Sequence, residues 1–212
     1  MARPTPRHRQ TPPRPATSAQ PRPSPSRRLI VLAYAGMALL VLVLCVLMRV
    51  GVSDTWVQLA TGKYIWRHGI PHSDPFTFIH TGEPFVEHEW GACLLYYLVS
   101  TLAGGWGLLL LRVAVVSSTL ALAVTMARRQ GATLGIVTLL FPWLVVIVFW
   151  RVSDRPHLFN SLALIGLYAV LVQVNRGLLY PRWRWGLPVL FVLWAQLHAG
   201  WIVGLAALIF HA

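Results

Sequence analysis

The apolar residues of this chain are gathered into long blocks separated by short polar segments. Residues 29–48 carry no charge over twenty positions, about the length an α-helix needs to cross a hydrocarbon core of roughly 30 Å. Four further blocks of similar character lie at about residues 106–127, 133–150, 158–174 and 187–210. The pattern predicts an all-α fold, a polytopic bundle of about five transmembrane helices.

The segment between the first two blocks is polar and aromatic. Residues 51–90 contain five of the six acidic residues of the chain. Residues 55–68 have the pattern of a short interfacial helix, with Trp56 and Tyr64 towards one side, and Gly69 is expected to end it. Asp74 precedes a proline, which favours a turn. We therefore expect a loop that carries short interfacial helices.

The next apolar stretch, residues 91–127, is interrupted by Gly104 and Gly105. Residues 94–103 are too few to cross a membrane. We interpret them as an interfacial or re-entrant helix before the second span. The rival interpretation is two tightly packed spans, which would invert the topology of everything that follows.

Composition supports a membrane protein. Hydrophobic residues make up 56% of the 212 positions and charged residues 11%, whereas soluble domains carry about 25% charged residues. The net charge of +12 and the pI of about 11.2 do not indicate nucleic-acid binding. Seven of the 18 basic residues precede the first apolar block, and most of the others lie in short loops.

The first 28 residues contain eight of the fifteen prolines, seven arginines and no acid. Such a composition cannot bury enough apolar surface to offset the entropy of ordering, so a disordered basic tail is expected. Residues 29–212 would form the transmembrane domain.

The loop charges predict the orientation. With a cytoplasmic N-terminus, twelve loop and tail arginines lie inside, against four basic residues outside, as the positive-inside rule requires. We therefore expect a multi-pass protein of the cell (inner or plasma) membrane whose loop 51–90 faces outward. Membrane lipids are its first expected partners, and the tail would meet anionic headgroups.

Under this topology, polar groups from four parts of the chain lie on the same side of the membrane. Asp54 follows the first span, Glu87, His88 and Glu89 precede the second, and His198 lies in the fifth. Arg155 and His157 stand between the third and fourth spans, close to Arg151. Because ionisable groups near a bilayer are costly, they usually face a cavity or a partner. The placement of all four groups on one side of the membrane predicts a site at the outer leaflet.

Short motifs around these residues resemble a known family. The run from Asp54 to Ile65 matches D-x-W-x-x-L-A-T-G-[RK]-x-I, a pattern of bacterial polytopic membrane proteins of the GT-C glycosyltransferase type. The sequence similarity continues in four further runs: residues 69–71, 73–78, 88–90 and 155–159. It resumes at Leu193–Gly200. The resemblance covers about residues 30–212, in order.

This resemblance implies transfer of a sugar from a polyprenyl-phosphate donor to an acceptor outside the cytoplasm. By position, the catalytic aspartate of the first external loop corresponds to Asp54. Arg155, with Arg151, would contact the donor phosphate. The remaining substrate-binding candidates are Glu87, His88, Glu89, His157 and His198. A divalent metal ion stays open as a cofactor, although no second acid adjoins Asp54 and no metal ligands are predicted.

Each residue also has a plainer interpretation. Asp54 would serve as a helix cap, Arg155 would anchor its loop, and His198 would make an interhelical hydrogen bond. Arg112 would extend towards outer headgroups rather than face a cavity. For the whole chain, the alternative is a non-catalytic membrane subunit or lipid-binding partner of a larger complex. A transporter would show related halves, and the sequence shows none.

Five spans are fewer than the GT-C fold is expected to have, so the chain either is the N-terminal portion of a longer protein, which is the favoured interpretation, or needs a partner. Such a portion would be inactive alone.

The predicted topology is tested by cysteine labelling. Cysteines introduced at Thr81 and at Gly177 should react with a membrane-impermeant reagent from opposite sides, because the two residues lie in loops on different faces. Labelling of both from the same side would contradict the assignment.

Overall fold

The computed structural model describes residues 26–47, 53–79, 81–149, 155–177, 180, 182 and 185–211. The predicted tail, apart from its last three residues, and Arg151 lie outside the described residues. The described regular structure consists of seven α-helices: α1 (Arg27–Leu47), α2 (Ser53–His68), α3 (Trp90–Arg129), α4 (Leu134–Phe149), α5 (His157–Asn175), α6 (Gly186–Leu197) and α7 (Trp201–His211). The all-helical prediction is confirmed for this part of the chain.

Three of these helices, α1, α3 and α5, are long and apolar enough to cross a membrane. Helix α1 has 21 residues and is therefore about 31 Å long. Leu32 and Leu47 expose 67% and 72% of their surface, as expected for side chains that face lipid. The helix begins at Arg27, two residues before its predicted start.

Helix α2 confirms the short helix expected after the first span. It ends where Gly69 adopts φ +83° and donates its N–H to the Ile65 carbonyl at 2.9 Å. An interfacial helix is expected to turn its aromatic side to the membrane, and the face of α2 that is buried in the protein is a different one. Trp56 is 65% exposed, whereas Thr55 and Gln58 are buried. This face packs against the first part of α3.

Gly62 allows this close packing. A Cβ atom at position 62 would overlap the Cys93 carbonyl and lie 2.7 Å from the Tyr97 Cβ. Around Gly62, the surface of α2 that meets α3 carries small and polar side chains, which let the two backbones approach.

The loop that joins α2 to α3 is folded onto itself. Asp74 Oδ1 accepts the backbone N–H groups of Phe76 at 2.7 Å and of Thr77 at 3.2 Å. The Asp74 N–H donates to the Glu83 carbonyl at 2.8 Å. The predicted turn role of Asp74 is confirmed.

Helix α3 contains a sharp bend. Gly104 has φ 57° and ψ −145°, a conformation that is essentially restricted to glycine. Beyond the bend, a Cβ atom at Gly107 would lie 2.6 Å from the Val99 carbonyl oxygen, so the two parts of the helix pack closely at the bend. The first part, up to residue 102, is too short to span, in agreement with the short helix predicted before the second span.

The last predicted span, residues 187–210, is not one continuous helix. Helix α6 ends at Leu197, His198 has an extended backbone with φ −167° and ψ 142°, and α7 begins at Trp201. The Trp194 ring lies against Gly204 of α7, so the two helices are bent relative to each other. The prediction of a single helix here is wrong because a hydropathy pattern does not register a break between two apolar runs.

The main apolar core is formed by α1, α3, α4 and α5, and Phe141 and Leu158 are among its buried members. Arg112 of α3 is also buried, with 1% of its surface exposed. Its Nη1 donates to the Cys45 carbonyl of α1 at 3.1 Å. Arg112 is therefore held by the backbone of α1 and does not extend to the headgroups.

The packing of α2 on α3 generates a stability prediction. Gly62→Ala should lower the free energy of unfolding by about 1–3 kcal/mol, since the added methyl group overpacks the contact with Cys93. Thermal unfolding in detergent would measure the loss. Gly166→Ala is the matched control, because a Cβ at Gly166 in α5 meets no atom within 4 Å. Equal stability of the two variants would contradict the packing described.

Candidate active site

Four segments converge at one end of the bundle. The first turn of α2 carries Asp54, the residue before α3 is Glu89, and Arg155 and His157 stand at the start of α5. His198 follows the last residue of α6. Sequence reasoning placed these residues on the same side of the membrane, and the structure brings them into two contacting groups.

The first group is an ion pair between Asp54 and Arg155. Arg155 Nη2 lies 2.7 Å from Asp54 Oδ2, and the two side chains are 44% and 47% exposed. A pair this exposed contributes about 0–1 kcal/mol to stability. Its position at an open end of the bundle therefore leaves both charges accessible to a ligand.

Tyr96 fixes the backbone of Arg155. The Tyr96 hydroxyl donates to the Arg155 carbonyl at 3.0 Å, and its ring lies 5.9 Å from that of Phe159. Only 1% of Tyr96 is exposed. Sequence reasoning missed this residue. Its position seven residues after Glu89, and so on the same helix face, was the available signal.

The second group joins Glu89, His198 and His157. His198 Nε2 lies 3.5 Å from Glu89 Oε1. His198 Nδ1 accepts the Gly200 N–H at 2.8 Å. This hydrogen bond assigns the proton of the neutral ring to Nε2, which faces Glu89. The His157 ring lies 6.5 Å from the His198 ring.

Neighbouring polar contacts hold the α6–α7 break in place. The Trp90 indole N–H donates to Gln196 Oε1, and the Trp194 indole N–H donates to Asn160 Oδ1 at 3.1 Å. Gly200 lies so close to Asn160 that a Cβ atom there would overlap the amide. Unwound backbone among apolar helices needs such partners. Asn160 is a second residue that sequence reasoning missed.

The remaining predicted site residues lie at the edge. Glu87 Oε1 accepts the backbone N–H of Glu89 at 3.1 Å, so Glu87 shapes the turn before α3. His88 is exposed.

Among the described residues, no three His, Cys, Asp or Glu side chains are grouped to hold a metal ion. Glu87, His88 and Glu89 do not converge on one point. Within the part of the chain that the structure describes, these side chains therefore do not form a chelating site for a divalent metal ion.

The carboxyl of Glu89 has an altered proton affinity. Its pKa is raised, chiefly by burial and secondarily by the negative charge of Glu87, against a lowering effect of His88. Ionisation of Glu89 is therefore less favourable in the folded protein than in the unfolded chain. The stability gained from protonated Glu89 is fully present below its ordinary pKa and is lost as pH rises through its pKa in the folded protein.

We expect Glu89→Gln to be more thermostable than the wild type near neutral pH, because the amide keeps the hydrogen-bond acceptor and has no charge to bury. The difference in unfolding temperature should shrink as the pH falls from about 7 to about 4. Glu83→Gln, at an exposed carboxyl in the same segment, controls for net charge. A difference that stays constant with pH, or grows on acidification, would contradict the cause given for the raised pKa.

Comparison with known proteins does not identify the site. No protein-family model matches the sequence, and no curated protein or solved structure is significantly similar to it. The function therefore has to be argued from the chemistry of the two groups, Asp54–Arg155 and Glu89–His198–His157.

Proposed function

We propose that this chain forms part of a GT-C-like membrane glycosyltransferase. It transfers a sugar from a polyprenyl-phosphate donor to an acceptor at the outer face of the cell membrane. The observation that carries the proposal is the Asp54–Arg155 ion pair, because it sets a proton acceptor beside a phosphate-binding cation at one end of an apolar bundle. The resemblance of residues 54–65 to GT-C sequences supports the same assignment.

The two charges divide the chemistry between them. Asp54 accepts the proton of the acceptor hydroxyl as that oxygen attacks the anomeric carbon of the sugar. The bond between the anomeric carbon and the phosphate oxygen breaks, and its electron pair leaves with the polyprenyl phosphate. Arg155 binds that phosphate and stabilises the charge that develops on it. Tyr96 holds Arg155 in position.

The second group supplies contacts to sugar or acceptor hydroxyls. Glu89 accepts hydrogen bonds, and His157 and His198 offer both donors and acceptors. The unwound backbone at His198 and Gly200 adds directional polar atoms next to these side chains. Substrate recognition at broken helices is a recurrent solution in membrane proteins, since irregular backbone there must line a polar cavity.

The proposed topology places this site outside the cytoplasm. The spans are α1, the second part of α3, α4 and α5, and the N-terminus is cytoplasmic. Helix α6 runs outward beside α5 as far as His198, and α7 turns back along α5. The first part of α3 and α2 then lie at the outer interface. Three arginines at the far ends of α3 and α5, residues 128, 129 and 176, face the cytoplasm in accord with the positive-inside rule.

A non-catalytic membrane subunit is the second candidate. One observation favours it: Asp54 is tied to Arg155, and an ion pair that only joins the start of α2 to the start of α5 would be explained without any reaction. A subunit of this kind would form a stable complex with a partner membrane protein in mild detergent.

Asp54→Asn should reduce sugar transfer by about a hundredfold or more, since it removes the proton acceptor. Native membranes that contain the variant would be assayed with radiolabelled polyprenyl-phosphate sugars, with membrane abundance measured in parallel. Glu83→Gln, an exposed acid of the same segment, should transfer normally. Transfer at the wild-type rate by Asp54→Asn would remove Asp54 as the base.

Exchanging the two charges separates catalysis from ion pairing. The double variant Asp54→Arg/Arg155→Asp keeps the pair but moves the carboxylate, so it should restore thermal stability and membrane abundance without restoring transfer. Restored transfer would mean that the pair has only a structural role. That result would favour the non-catalytic subunit.

A further inference from the structure

A second charged cluster lies at the opposite end of the bundle. Arg129 is the last residue of α3, and Arg176 follows the last residue of α5. The Arg129 guanidinium donates to the Gln173 side chain, and Arg176 Nη1 donates to the Arg129 carbonyl at 3.5 Å. Neutral oxygen atoms thus hold two exposed cations at the same corner, which we call the basic corner (Arg129, Gln130, Gln173 and Arg176).

The acidic side chains of the described structure lie far from the basic corner. They are all found between residues 54 and 89, in α2 and the loop that precedes α3. Helix α5 separates His157 from Arg176 by about 28 Å. Two like charges in one place, with no acid of the described structure beside them, attract an anion from outside the protein.

An apolar groove runs up to the basic corner. It has a volume of about 460 Å³, lies between α3, α4, α5 and α7, and is lined mainly by aliphatic side chains, among them Leu120, Leu144, Leu164, Ile165 and Leu171. Tyr168 also lines it. The Tyr168 hydroxyl accepts a hydrogen bond from Gln130 Nε2 at 3.0 Å. Tyr168 of the groove is therefore hydrogen-bonded to Gln130, the residue that follows Arg129.

We propose that this surface is a binding site for one anionic phospholipid, with an acyl chain in the groove and the phosphate at Arg129 and Arg176. Guanidinium groups bind phosphate through paired, charge-assisted hydrogen bonds. The groove selects a lipid rather than a soluble phosphate, because a headgroup alone would leave the apolar wall uncovered. The site does not depend on the reaction proposed for the other end of the bundle.

The test is a lipid titration of the purified full chain in mild detergent, followed by native mass spectrometry. Phosphatidylglycerol should bind about tenfold or more tightly than phosphatidylcholine with the same acyl chains. Arg129→Gln/Arg176→Gln should weaken phosphatidylglycerol binding about 30-fold, since each basic residue near a membrane surface contributes a factor of about five. Lys63→Gln/Arg67→Gln, which removes the same charge from exposed positions of α2 at the opposite end of the bundle, should weaken it less than about twofold.

The groove is tested by a second matched pair. Ser161 lines this groove, whereas Ser117 lines another groove of about 390 Å³ between α1, α3 and α4. Ser161→Phe should weaken lipid binding and Ser117→Phe should not. This pair and the headgroup comparison on the wild type decide the question even if the arginine variant does not fold.

Three results would overturn the proposal. Equal affinity of the wild type for both headgroups would remove the anion site. An equal loss in Lys63→Gln/Arg67→Gln would mean that only net charge matters. Displacement of the lipid by glycerol 3-phosphate would show that the corner binds a soluble phosphate instead.

Discussion

The arrangement of this protein depends on one constraint: inside an apolar bundle, every interruption of a helix and every charge must find a polar partner within the protein. Three polar contacts between segments illustrate it. At the α6–α7 break, His198 accepts the Gly200 N–H and faces Glu89. In α1, the Cys45 carbonyl accepts a hydrogen bond from Arg112 of α3. Before α5, the Arg155 carbonyl accepts a hydrogen bond from Tyr96 of α3. Each contact fixes one segment against another, and the first and third set the geometry of the proposed site.

The charge distribution gives the two ends of the bundle different chemistry. Asp54 and Arg155 are paired, and Glu89 faces His198, at the end where four segments meet. At the other end, Arg129 and Arg176 are held by neutral oxygen atoms. The first arrangement suits a reaction that moves a proton beside a phosphate, and the second suits retention of an anionic headgroup. A membrane protein that acts on a lipid-linked donor would benefit from both.

Much of the fold follows from hydropathy and glycine placement. The helical class, α1, the end of α2 at Gly69 and the interruption near Gly104 are all readable, because long apolar runs and left-handed glycines leave local signals. The buried face of α2 and the break between α6 and α7 cannot be read from the sequence. Both depend on which helix surfaces pack together, and an apolar side chain gives the same signal whether it faces lipid or the protein core.

The site shows the same division. Ionisable residues are conspicuous in an apolar chain because placing them near a bilayer costs free energy. On this ground the sequence already indicates five residues of the site: Asp54, Glu89, Arg155, His157 and His198. Their pairing and the supporting roles of Tyr96 and Asn160 require coordinates. Photocrosslinking with a polyprenyl phosphate that carries its reactive group next to the phosphate tests the proposed site most directly. Peptides around Asp54 and Arg155 should be labelled, and Arg155→Gln should lose that labelling. Labelling spread along the lipid-facing surface of α1 and α4, unchanged in Arg155→Gln, would contradict it.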